Sequence, residues 1–168
     1  DYYKYYGDDK LEKTIVNKAE FNTIIKKEKQ NCDINKFELK PNQIFLKNFI
    51  NNSTPYKSLL LFHGTGTGKT CSAITIAENF KDIFNRPDKR TIIISPKSVI
   101  NNWKNTIYDS KKGIDQCTND NYDKLFYTDK YEKNFNLKNE VKKQIKKHYE
   151  FFGYRKFSNI IANKLNID

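Results

Sequence analysis

Apolar and polar positions alternate with two different periods along this chain, and each change of period marks an element. Between 10 and about 29, Leu11, Ile15, Val16, Phe21, Ile24 and Ile25 recur among charges as on an amphipathic helix, and Asn31-Cys32-Asp33 interrupts the pattern. A helix is predicted over 39–50, with Pro41 in its first turn and Ile44, Phe45, Phe49 and Ile50 on its apolar face. The stretch 51–55 ends it. Ser58-Leu59-Leu60-Leu61-Phe62 then predicts a strand, and Ala73, Ile74, Ile76, Ala77, Phe80 and Phe84 predict a helix running to about 85. After a turn at Asn85-Arg86-Pro87-Asp88, Thr91-Ile92-Ile93-Ile94-Ser95 reads as a strand buried on both faces. Strand, helix, strand makes a βαβ unit, so the expected fold is α/β, with a parallel sheet and a right-handed crossover.

The rest of the chain continues in the same style. Val99, Ile100, Trp103 and Ile107 predict a helix after Ser95-Pro96-Lys97-Ser98, with Trp103 packing on its apolar face. The stretch 109–136 is loop-like, with a short strand expected at Leu125-Phe126-Tyr127. A basic helix follows over 137–147 with Val141, Ile145 and His148 turned inward, then a strand over 149–152 and a closing helix over 154–165. Lys142, Lys143, Lys146 and Lys147 read as a solvated stripe in preference to a phosphate-tracking face. His148 has no histidine or cysteine cluster around it in the sequence, so a metal role is not expected.

Chemistry concentrates between the predicted strand and helix, at His63-Gly64-Thr65-Gly66-Thr67-Gly68-Lys69-Thr70. Glycines let the backbone curl so that successive N–H groups point at a phosphate, and the following helix adds its positive end at the same point. Gly64, Thr65, Gly66, Thr67 and Gly68 would form the cradle. Lys69 would reach the β- and γ-phosphates as the catalytic cation, and the Thr70 hydroxyl would ligate Mg²⁺. The implied cofactors are ATP and Mg²⁺. Gln43 is a further candidate, because an amide both donates and accepts and so matches an adenine edge. Ser98, expected at a helix N-cap beside Lys97, has a geometry suited to a phosphate of a nucleic-acid backbone.

Composition adds bounds. The chain has 168 residues, 37% apolar and 30% charged, enough for a well-cored domain. A net charge of +11 favours polyanionic partners, nucleic acid before an anionic membrane. No apolar run reaches the length of a membrane span, and no signal-peptide pattern opens the chain. Methionine is absent even at position 1, so Asp1 is expected to follow earlier residues of a longer chain. Cys32, Cys71 and Cys117 are odd in number and widely spaced, which points away from a disulfide framework or zinc site and towards a reducing compartment.

The stretch 63–70 resembles motif I of superfamily 2 helicases and translocases, with His63 standing where many members have Ala, Gly or Asp. Ile93-Ile94-Ser95-Pro96-Lys97-Ser98-Val99-Ile100 followed by Trp103 resembles motif Ia, which implies that Lys97 and Ser98 lie along a nucleic-acid backbone. Pro41-Asn42-Gln43 is similar to the adenine-reading region upstream of motif I, and Tyr154-Arg155-Lys156-Phe157 looks like the region before motif II. The combination looks most like helicases of nucleocytoplasmic large DNA viruses, of the poxvirus early-transcription-factor and nucleoside-triphosphatase-I type. That resemblance implies a RecA-like lobe, ATP-driven movement on nucleic acid (DNA favoured over RNA), viral transcription machinery as a partner, and action in the virion or host cytoplasm.

Motif II needs an Asp-Glu pair, and none occurs in this chain. The expected organisation is therefore an N-terminal extension or linker arm over 1–36, largely helical, and the first part of a RecA-like lobe over 37–168, ending before motif II. Two other readings stay open: a P-loop ATPase of another kind, such as a DNA-packaging motor or a kinase, and a non-catalytic nucleotide-binding module.

Overall fold

The computed structural model describes residues 13–19, 21, 37–81, 89–112, 115–118, 121–122 and 137–165. The chain divides into two compact units, Asp1–Phe80 and Lys81–Asp168. The lead-in 1–9, the break at 31–33, the turn at 85–88 and the short strand at 125–127 lie outside the described residues, as do Ile24, Ile25 and Phe84.

In the first unit, helix α1 spans Pro41–Phe49 and helix α2 spans Lys69–Glu78, and the two pack together. Pro41 starts α1 because its fixed φ suits a first turn whose N–H has no helical partner. Leu46 and Ile50 from the α1 segment are buried, as are Cys71 and Ile74 of α2. Burying a side chain as completely as Ile74, at 1% exposure, contributes roughly 1.5–3 kcal/mol. A run of rings extends this core: Phe21 lies 5.0 Å from Phe45, Phe45 5.7 Å from Phe49, and Phe49 4.2 Å from Tyr56, centroid to centroid. The apolar pattern upstream thus has a structural counterpart in Phe21, beside a helical turn over 13–16.

Helix α2 ends earlier than its apolar spacing predicts. Asn79 caps it, and its side-chain Nδ2 donates to the Lys47 carbonyl at 2.6 Å and more weakly to that of Ile50. An amide that satisfies the exposed carbonyls at the end of α1 is held where α2 must stop.

The strand expected at 58–62 makes no sheet ladder; Leu60 and Phe62 are 86% and 94% exposed. A continuous apolar run suits a strand covered on both faces, and the described residues provide no such cover.

In the second unit, strand β1, Thr91–Ile94, pairs with strand β2, Tyr149–Phe152, in parallel, from Thr91↔Tyr149 to Ile94↔Phe152. The Ser95 N–H donates to the Phe152 carbonyl and carries the ladder one step further. A parallel sheet is therefore present, and its described pair is 91–94 with 149–152. Helices α3, Lys97–Ile107, and α4, Leu137–His148, lie in the crossover that parallel strands require, and α5, Tyr154–Leu165, follows β2. Val141, Ile145, Ile107 and Tyr122 are buried. Ile93 is buried while Ile92 and Ile94 are not, so β1 is covered on one face among the described residues, where the sequence predicted two.

Cys71 and Cys117 are each disulfide-bonded. Their wide spacing in the sequence had pointed away from a disulfide framework. No described helix is long and apolar enough to cross a membrane.

Candidate nucleotide-binding site

Two glycines set the shape of the loop between Phe62 and α2. Gly66 has φ +75° and Gly68 φ +89°, both in the left-handed region where a side chain costs about 1–2 kcal/mol. Gly68 is the N-cap of α2, so the chain turns from a left-handed residue directly into the helix whose first residues are Lys69 and Thr70. Successive amides in such a turn face one concave side, and the N–H groups of the first helical turn add to it.

The loop is tied together by its own polar groups. The Thr67 hydroxyl donates to the Gly64 carbonyl at 2.8 Å. The Lys69 ammonium donates to the carbonyls of His63 and Gly64, at 2.7 and 2.6 Å. Lys69 therefore folds back over the loop, and a phosphate entering the cradle would meet its ammonium in place. The His63 Nδ1 is buried with no hydrogen-bond partner.

Gln43 is 4% exposed and is fitted beneath this loop. Its Oε1 accepts the Lys40 N–H at 2.9 Å, which is the side-chain half of a capping box at the start of α1. Its Nε2 donates to the Gly68 carbonyl at 3.4 Å, beside the N–H and hydroxyl of Ser72, which donate to the same oxygen at 3.0 and 3.3 Å. The amide that the sequence offered to an adenine edge is thus engaged within the chain. Sequence reading missed this bracing role, although Pro41-Asn42-Gln43 places a glutamine at the third helical position where a capping box needs it.

A phosphate fits this arrangement. A Cβ on Gly66 would meet nothing within 4 Å, and one on Gly64 nothing nearer than 3.8 Å, so the loop backbone is open to a close approach. For Mg²⁺ the residue that would serve is Thr70, through its hydroxyl, and no Asp-Glu pair stands in the sequence to add a carboxylate. Among the described residues no group of three or more His, Cys, Asp or Glu is placed to hold a metal ion.

Lys97 and Ser98 belong to the second unit. Pro96, not Ser98, is the N-cap of α3; Lys97 and Ser98 are its first two residues, and both are exposed. The expected Ser98 cap is therefore corrected. The proline ring fixes the turn two residues earlier than the Ser98 hydroxyl would have done.

Comparison with known proteins follows the same lines. A family model described as the SNF2-related domain matches residues 10–160. A protein of Acanthamoeba polyphaga mimivirus named as an ATP-dependent RNA helicase is 34% identical over 137 residues, 79% of this chain and 11% of its own length. A second mimivirus protein of the same designation is 33% identical over 150 residues, 83% of this chain and 24% of its own length. The early transcription factor large subunit homolog of African swine fever virus is 55% identical over 38 residues, 23% of this chain and 4% of its own length. The chain thus spans less than a quarter of each of these relatives. No solved structure gives a significant match.

Proposed function

We propose, on the premise that this chain belongs to the SNF2-related domain family of helicase superfamily 2, that it is the ATP-binding segment of a helicase or translocase acting on nucleic acid. The observation that carries the proposal is the loop 63–70, built on two left-handed glycines with the Lys69 ammonium held over it. In this reading Gly64, Thr65, Gly66, Thr67 and Gly68 cradle the phosphates of ATP, and Lys69 balances charge on the β- and γ-phosphates as the catalytic cation. Thr70 contributes its hydroxyl to the Mg²⁺ that accompanies the nucleotide. Gln43 serves the loop first, and its second Nε2 hydrogen is the one left for an adenine acceptor.

Lys97 and Ser98, exposed at the start of α3, take nucleic-acid phosphates through the ammonium and the free amides of the first turn. The net charge of +11 supports this partner, with DNA favoured over RNA. The named relatives are viral, which supports a viral source and action in the virion or host cytoplasm, and one is named as a transcription factor subunit, which supports a link to transcription machinery. We place an N-terminal arm over 1–36 and the first part of a RecA-like lobe over 37–168. Water activation is assigned to no residue of this chain, so the chain alone binds nucleotide weakly and turns over almost none.

The test is ATP hydrolysis by the full-length protein with and without single-stranded DNA or RNA. Stimulation by nucleic acid, lost in Lys69→Ala, is expected. Turnover indifferent to nucleic acid would replace this reading with a P-loop kinase.

A further inference from the structure

A cavity of about 850 Å³ opens in the second unit between the C-terminal half of α3, the body of α4 and the start of β2. Its size falls in the range of about 300–1,000 Å³ typical of ligand pockets. It lies at the end of β1 where Arg90 precedes the strand, whereas Lys97 and Ser98 follow the opposite end. It is therefore separate from the phosphate contacts proposed above.

The walls are cationic and the floor is aromatic. Among the described residues Arg90, Lys104, Lys111, Lys142 and Lys146 line it, against two carboxylates. One of these, Glu150, is already met by Arg90 at 3.6 Å, and the other, Asp109, accepts the Lys111 N–H. On the floor, Tyr149 and Phe151 share one face of β2, because strand side chains alternate, and their rings stack 6.4 Å apart. The Lys104 ammonium sits 5.3 Å from the centre of the Phe151 ring. Within the basic stripe of α4 the structure separates two pairs: Lys142 and Lys146 line the cavity, and Lys143 and Lys147 do not.

Helix α3 connects the cavity to its own N-terminus. Lys97, Asn101 and Lys104 are spaced by four and three residues and so share one face of α3. The Lys97 stem passes Gly153 so closely that a Cβ there would stand 3.3 Å from it. Tyr149 is buried and Phe151 half-buried, so Phe151 is the ring open to the cavity. A cationic concave site with such a ring matches single-stranded nucleic acid, whose phosphates take the lysines and one of whose unstacked bases takes Phe151. A duplex offers its bases only in grooves and cannot enter such a cavity.

We propose that this cavity is a second contact for single-stranded nucleic acid, reached along the Lys97–Lys104 face of α3. The inference rests on the reading of the chain as part of a nucleic-acid motor. The test is fluorescence anisotropy with fluorescein-labelled oligo-dT and oligo-U on the full-length protein, titrated with salt. Lys142→Gln with Lys146→Gln should weaken binding roughly fivefold to tenfold and flatten the salt slope by about 1.4, at about 0.7 per lost contact. Lys143→Gln with Lys147→Gln removes the same charge from the same helix and should change neither. Equal loss in both double variants, or none in the first, overturns the second contact while nucleic-acid-stimulated ATP turnover keeps the motor reading. Competition by polyglutamate as effective as by unlabelled oligo-dT also overturns it, in favour of an acidic peptide. Wild-type protein that neither binds the oligonucleotides nor shows stimulated turnover removes both proposals together.

Discussion

The Gln43 side chain and the Gly68 backbone are fitted to one another. The Gln43 Nε2 donates to the Gly68 carbonyl at 3.4 Å, and a Cβ on Gly68 would stand 2.7 Å from that same nitrogen. Helix α1 thereby reaches the N-cap of α2 and fixes the residue on which the glycine loop ends.

Replacing Gln43 therefore acts on the loop through its support. In Gln43→Ala the Lys40 N–H loses its acceptor and the Gly68 carbonyl one of its donors, which costs about 1–3 kcal/mol where the groups stay buried. Denaturant unfolding should show that loss together with weaker binding of a fluorescent ATP analogue. Gln43→Glu keeps the Lys40 acceptor but turns an oxygen towards the Gly68 carbonyl, so it should weaken nucleotide binding as well. Were the residue to act only on adenine, both variants would lose discrimination between ATP and GTP with stability unchanged.

The two left-handed glycines should respond differently to alanine. Gly66→Ala meets open space and carries only the backbone cost of about 1–2 kcal/mol. Gly68→Ala adds the collision with Gln43 and should be the more destabilising. A double-mutant cycle isolates that addition: Gln43→Ala in the Gly68→Ala background should cost less than it does alone.

Lys69→Ala removes two hydrogen bonds within the loop, so unfolding should shift by about 1–3 kcal/mol. In the proposed role Lys69 faces the β- and γ-phosphates, so ATP affinity should nevertheless fall more than tenfold (about 1.4 kcal/mol). Lys69→Arg should not restore it, since a planar guanidinium does not replace a compact ammonium in a closed turn. Isothermal titration alongside thermal melting separates the two effects.

In the second unit, packing should outweigh surface charge. Ile107 has no exposed surface, and Ile107→Ala is expected to cost about 2–5 kcal/mol in denaturant unfolding. The Arg90–Glu150 pair has both side chains 39% exposed, so Glu150→Gln should cost about 1 kcal/mol or less. A larger loss at Glu150 than at Ile107 would show that the ion pair, not the helix, holds β1 to β2.

The sequence by itself determined the elements that depend on local chemistry. Pro41, the apolar spacing of 137–148 and the run at 149–152 gave α1, α4 and β2, and the closing helix has the bounds its pattern predicts. Gly66 and Gly68 were legible for the same reason, because only glycine adopts those angles without strain. What the tertiary structure decided was every question of pairing. Period cannot say which apolar run a strand meets; among the described residues the parallel partner of 91–94 is 149–152. Nor can it say where a side chain's hydrogen bonds go: Asn79 ends α2 by reaching carbonyls of α1, and Gln43 spends its amide on Lys40 and Gly68. Helical spacing put four lysines in one stripe on α4, and only the position of α3 and β2 divided them into two that line a cavity and two that do not. Backbone conformation is set by neighbours in sequence, whereas hydrogen-bond partners and burial are set by neighbours in space.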